Sequence, residues 1–259
     1  MRLPSPEAFA KSIVAAVQEY SLLTFRAVEA SFSQPRYLAD TFAQMDYVGF
    51  GSLPIVILTG FFTGCVLTLQ SATSLKEFGA VNMTGRLVAL SMVKELGPVL
   101  TGLMVSGRNA SGMASELGSM KVSEQIDAMR ALGTDPVRKL VTPRLIATVI
   151  MLFFLTIISD ACGIAGGALV AVSLLGLNAG TFFHTGYMSL KYGDVAGGLV
   201  KPLFSGFIIA TIGCFYGLRT TGGTRGVGRS TTQAVVVSSV LIILCDFLVT
   251  KLMIGVFGR

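Results

Sequence analysis

Lys94 and Glu95 stand side by side inside an apolar run and are followed by Leu96-Gly97-Pro98. Ionisable groups at membrane depth are costly and mark functional sites by default. The chemistry open to such a pair is electrostatic: it either captures a charged group in a polar patch or braces a kink as an ion pair. Pro98 lies four residues after Lys94, so its ring opposes the Lys94 carbonyl and its missing N–H loosens the helical ladder. Neighbouring helical residues do not face each other, so the two charges need not pair together. Asp160 sits near the middle of a later apolar run and Lys201-Pro202 within another. Bond-making machinery is not expected, because GxxxxGK[ST], GxSxG and HExxH are all missing. Cys65, Cys162, Cys214 and Cys245 have no CxxC spacing and read as small buried hydrophobes. The single His184 has no ligand cluster around it, so no metal site is expected.

A second informative stretch is charged and amphipathic. Asp127-Ala128-Met129-Arg130-Ala131-Leu132-Gly133 resembles the EAA loop of ABC importer permeases, whose short helix docks in a cleft of the ATPase. Ile126, Met129 and Leu132 would give an apolar docking edge, and Glu124, Asp127 and Arg130 polar contacts around it. Gly133 suits the position just past a helix end, and Asp135-Pro136 turns the chain onward.

These residues need membrane elements to position them. The chain of 259 residues is 52% hydrophobic and only 13% charged, with mean hydropathy +0.72. A soluble domain carries about 25% charged residues, so this is an integral membrane protein. The net charge of +6 is read through topology rather than as a nucleic-acid signal. Residues 5–33 pattern as an amphipathic helix, with Phe9, Ile13, Val17 and Tyr20 against Glu7, Lys11, Gln18 and Glu19; too polar to span, it suits the membrane interface. Residues 34–46 read as an elbow broken by Pro35. Spans are expected over roughly 48–71, 87–108, 145–176, 195–218 and 233–256. The third run is long enough for one tilted helix or a hairpin. With one helix there and the N-terminus inside, Arg108, Lys121, Arg130, Arg138, Lys139, Arg144, Arg219, Arg225 and Arg229 share the inner side. That asymmetry fits the positive-inside rule and favours five spans, with the C-terminus outside and 177–194 as an outer loop or short helix. Gly60 and Gly64 form a GxxxG face, and Gly163, Gly167 and Ala171 another; both predict close helix contact, within the subunit or across a dimer. The fold class is therefore all-α, with about five transmembrane helices preceded by an interfacial helix. Residues 1–46 form the interfacial helix and elbow, and 47–259 the transmembrane domain with cytoplasmic segment 116–140.

The ordered set Lys94 to Val99, Gly107-Arg108, Glu116 to Met120, Ser123 to Met129, Asp135-Pro136 and Pro143-Arg144 resembles the MlaE/YrbE family, the permeases of MCE-type ABC lipid transporters. Gly228-Arg229-Ser230-Thr231-Thr232 before the last span is similar too. The resemblance implies a permease homodimer, two cytoplasmic ATPase subunits that bind ATP and Mg, and a ring of MCE-domain proteins on the periplasmic face. This chain would bind no cofactor itself and lie in the bacterial inner membrane. The implied cargo is phospholipid moving between inner and outer membranes, which maintains outer-membrane lipid asymmetry. The family's lipid pocket lies between two permeases. Lys94, Glu95 and Leu96, with Gln70 on the first span, become pocket candidates, and Gly97 and Pro98 the kink. Ser123, Glu124, Gln125, Asp127, Ala128, Met129, Arg130 and Gly133 become the ATPase-coupling segment. Many relatives carry Arg before the Glu. Lys94 keeps the charge without the bidentate fork that suits phosphate. The alternatives are a permease for sterols or other apolar lipids, an ion-coupled carrier or channel using Lys94, Glu95 and Asp160, and a scaffold.

Overall fold

The structure is a computed structural model that describes residues 6–33 and 37–257, without the side chains of 6–10, 12, 13, 256 and 257. Among them there is no strand, and five helices are long and apolar enough to cross a membrane. Helix α1 spans Pro6–Phe32 and α2 spans Leu38–Lys76. The second span is a chain of segments: α3 (Thr84–Ser91), a π turn at Met92–Leu96, α4 (Gly97–Val105), a π turn at Ser106–Ala110 and α5 (Ser111–Val122). The short α6 (Gln125–Ala131) follows, then a π turn at Val137–Val141 that runs into α7 (Thr142–Ser173). Helices α8 (Ala179–Ser189), α9 (Tyr192–Leu218) and α10 (Gly223–Phe257) complete the chain.

The third apolar run is one helix of 32 residues, so the hairpin alternative is excluded. At about 1.5 Å per residue it exceeds the ~30 Å apolar core, so its ends reach the interfaces. Helix α2 starts at Leu38, so most of the expected elbow is helical. Asp40 there meets Lys139, whose ammonium also lies 4.4 Å from the Tyr37 ring centroid. These contacts stabilise polar first turns that hydropathy alone reads as connector. Pro54 lies inside α2, and Pro35 lies outside the described residues. The last span begins ten residues earlier than the apolar pattern suggests, at Gly223, because polar Gly-Arg-Ser-Thr sequence continues the helix.

Helix α1 rests on the bundle through Tyr20, whose hydroxyl is 2.9 Å from Thr211 Oγ1 and whose ring meets Phe215 edge-on. Ala27 and Ala30 are buried beneath it, whereas Val17, Val14 and Phe25 face outward. Val17 and Tyr20 therefore lie on different faces. The side chains of Phe9, Ile13 and Glu7 lie outside the described residues.

The two small-residue faces pack on each other, α2 against α7. A Cβ at Gly64 would overlap the Gly163 carbonyl, and one at Gly60 the Ser159 carbonyl. With no side chain between them, the backbones approach closely, which is the chief packing gain available between helices in lipid. Helix α9 covers a further face of α7, where Gly206 abuts the backbone at Thr148 and Val149.

Two of the three π turns have the same local cause. Pro98 and Pro143 each follow a π turn and remove the N–H that would bond the carbonyl four residues back. Opening the ladder by one residue relieves the ring clash. It also frees carbonyls, among them that of Lys94, which accepts from Lys201.

Candidate functional site

A cavity of about 800 Å³ opens at the end of the bundle that carries α8. Its first wall is a stripe at four-residue spacing, Arg86, Leu90 and Lys94, from α3 into the first π turn. The second is the start of α9, with Asp194, Gly197, Gly198 and Lys201, and the third is Thr250, Met253 and Ile254 of α10. Gly198 lets α9 close onto the π turn, since a Cβ there would overlap the Val93 carbonyl.

The charges are arranged across helices rather than along one. Lys94 Nζ lies 2.8 Å from Asp194 Oδ1. Lys201, 5% exposed, donates to Glu95 Oε2 and lies 3.1 Å from Asp246 Oδ1 on α10. Its third partner is the Lys94 carbonyl at 2.8 Å, the acceptor that Pro98 leaves free. Glu95 also accepts from Thr250 Oγ1 at 3.3 Å. Lys94 and Glu95 thus face different partners, as their adjacency on a helix requires. Arg86 and Lys191 line the same cavity; Arg86 has no carboxylate within 4 Å among the described residues, and the Lys191 backbone N–H donates to Asp194 Oδ2 at 3.2 Å. The site therefore holds more cationic than anionic side chains, beside apolar walls of Leu90, Met253 and Ile254.

Of the sequence-predicted pocket residues, Lys94 and Glu95 line this cavity. Leu96 turns away into the cluster of Val88, Met92, Ala171 and Phe182. Gln70 is exposed on α2 and is not among the lining residues. Gly97 is buried against Asp160, whose Oδ1 a Cβ at Gly97 would overlap. Asp160 is thereby packed against α4 and lies outside the cavity lining, which separates it from Lys94 and Glu95 as a common site. Sequence reasoning passed over Arg86, Lys191, Asp194 and Asp246, and noted Lys201 only as part of a span. The signal for Lys201 and Asp246 was a charge inside an apolar run.

Helix α6 lies at the other end, where Gly118 of α5 meets Thr220 after α9. Glu124 opens it at φ 59, the one non-glycine with positive φ among the described residues. Gly133 closes it at φ 79, with its N–H bonded to the Arg130 carbonyl. Asp127 accepts two hydrogen bonds from Lys121 at 3.0 and 2.8 Å, and Arg130 approaches at 3.4 Å. The Lys121 hydrogen bond, with both cations adding, holds the Asp127 carboxyl below its ordinary value. The expected apolar edge is corrected at Ile126. That side chain is fully buried and fastens α6 to the body, while Leu132 is 84% exposed and Met129 partly so. Ser123, Gln125, Ala128 and Arg130 are also exposed. Left-handed backbone costs an L-residue about 1–2 kcal/mol. Glu124→Gly is therefore expected to raise the melting midpoint slightly, and Glu124→Val to lower it. Thermal denaturation of both variants beside the parent checks the order.

Comparison with known proteins gives a consistent set of relatives. The family described as Permease MlaE matches residues 41–252. A probable ABC transporter permease of Rickettsia typhi is 43% identical over 237 residues, covering 92% of each chain. The intermembrane phospholipid transport system permease protein MlaE of Haemophilus influenzae is 37% identical over 213 residues, covering 82% of each. An Arabidopsis thaliana protein named trigalactosyldiacylglycerol 1, chloroplastic, is 38% identical over 82% of this chain and 61% of its own length.

Proposed function

This chain belongs to the MlaE permease family, and on that premise we propose that it carries phospholipid through a bacterial inner membrane. As an ABC transporter permease it is a transport subunit that works with an ATPase partner. The observation that carries the cargo assignment is the cavity, where cationic side chains stand in excess next to apolar walls. A phosphodiester suits the cations and an acyl chain the walls, whereas a sterol leaves Arg86 without an anionic partner. The packing of Asp160 away from the cavity argues against the ion-coupled reading.

In this reading the α6 end faces the cytoplasm, the C-terminus is periplasmic, and two copies form a dimer under a ring of MCE-domain proteins. Exposed Leu132, Asp127 and Arg130, with half-buried Met129, enter the ATPase cleft. Hydrolysis takes place on ATP and Mg held by the ATPase, and its motion reaches the body through buried Ile126 and the Lys121–Asp127 bridge. The motion then passes from α5 along the rest of the second span, whose π turns let one part shift relative to the next. Lys94 and Arg86 contact the phosphate, and the paired Lys201 keeps Glu95 and Asp246 from repelling it.

Gentle purification followed by mass spectrometry of everything retained tests the assignment. Phospholipid, an ATPase and an MCE protein in one particle are the expected result; a particle that retains sterol instead would sink it. Asp127→Lys reverses the charge that Lys121 and Arg130 hold, and is expected to reduce ATPase co-purification at least tenfold. If the variant still co-purifies normally, α6 is not the docking element.

A further inference from the structure

Arg108 forms a cationic site that the cavity and α6 do not use. It lies in the second π turn, at the end of the apolar run of its span, on the α6 side. Three neutral acceptors hold it, all through Nη1: the Tyr47 carbonyl at 3.0 Å, Ser52 Oγ at 3.2 Å and Asn109 Oδ1 at 3.3 Å. Among the described residues no carboxylate stands within 4 Å, and Nη2 and Nε donate to none of them. The guanidinium carbon lies 4.8 Å from the Tyr47 ring centroid. The group fits there because residue 51 is glycine; a Cβ at Gly51 would overlap Nη2 and Nη1. The cleft is open to the outside, with Tyr47, Phe50, Gly51 and Gly107 all exposed.

Each feature points to an anion at head-group height. An exposed Tyr beside a half-buried Arg at the boundary of an apolar span belongs to the interface. A guanidinium fixed on one nitrogen presents its remaining edge as a planar fork that matches two phosphate oxygens. An uncompensated cation at this depth is stabilised by an opposite charge. We propose that Arg108, set between Tyr47 and Gly51, binds the phosphodiester of one anionic lipid from the leaflet on the α6 side. This site is separate from the α8-end cavity and does not depend on what that cavity carries.

The test is native mass spectrometry of the full chain with its co-purifying partners in mild detergent, titrated with phosphatidylglycerol. The parent is expected to retain one tightly held phosphatidylglycerol per chain that Arg108→Gln loses, with affinity falling about tenfold (~1.4 kcal/mol). Arg108→Lys should fall between them, because it keeps the charge and loses the fork. Gly51→Ala displaces the guanidinium without removing charge and favours the helix, so it should behave like Arg108→Gln. These two variants decide the matter if the glutamine variant does not fold. Unchanged stoichiometry and affinity in Arg108→Gln or Gly51→Ala overturns the site. Displacement by inorganic phosphate at the same concentration as lipid overturns the lipid assignment. Dissociation of the complex with lipid retention intact shows a protein contact instead, and also overturns it.

Discussion

Lys201→Met is expected to destabilise the folded chain by about 3 kcal/mol, and by far more than any exposed lysine. Lys201 is the hub of the polar site: nearly fully buried, it holds Glu95, Asp246 and the Lys94 carbonyl together. Removing one partner of a buried ion pair leaves an uncompensated charge and costs ~3–5 kcal/mol. Here two carboxylates and one carbonyl lose their cation at once. Glu95 is 43% exposed at its side chain and can turn towards the cavity water, which sets the cost near the lower figure. The chain has no tryptophan, so unfolding is best followed with a thiol-reactive dye, for which buried Cys214 is a natural reporter. Adding Asp246→Asn should recover part of the loss, since it removes one of the stranded charges. A single variant that melts with the parent would show that the hub is not a stability element. The same substitution should weaken phospholipid retention, because the cavity would lose one of its four cationic side chains and leave Glu95 and Asp246 uncompensated beside it.

Gly64→Leu should abolish recovery of folded protein altogether. The nearest atoms to a new Cβ are the carbonyl carbon and oxygen of Gly163, which belong to the backbone of α7 and not to a flexible side chain. Overpacking a tolerant core costs ~1–3 kcal/mol. Here the helices must move apart, and Gly60, Gly166 and Gly167 along the same seam lose contact together. A graded series of Ala, Val and Leu at Gly64 should fall in that order in detergent-solubilised yield. Gly255, with open space around it, is the matched control, where Leu should change stability by less than ~0.5 kcal/mol. Equal yields for Gly64→Leu and Gly255→Leu would refute close α2–α7 packing.

The number and placing of the spans were legible in the chain itself, because bilayer insertion depends on local hydropathy that one strand of sequence carries in full. The same holds for the helix end at Gly133, the break around Pro98 and the small-residue faces of Gly60, Gly64, Gly163 and Gly167. Each is a property of residues within a few positions of one another. What those faces touch was not legible: only packing decided that α2 and α7 meet each other. The cavity was likewise a tertiary product. Lys94 and Glu95 announced themselves as charges in an apolar run, but their partners Asp194, Lys201, Thr250 and the bridging Asp246 come from helices about 100 to 155 positions further along the chain. No period or spacing encodes such a pairing. Ile126 makes the same point at the other end: an amphipathic pattern marks it as apolar, but only the fold determines whether that apolar side meets the body or the outside.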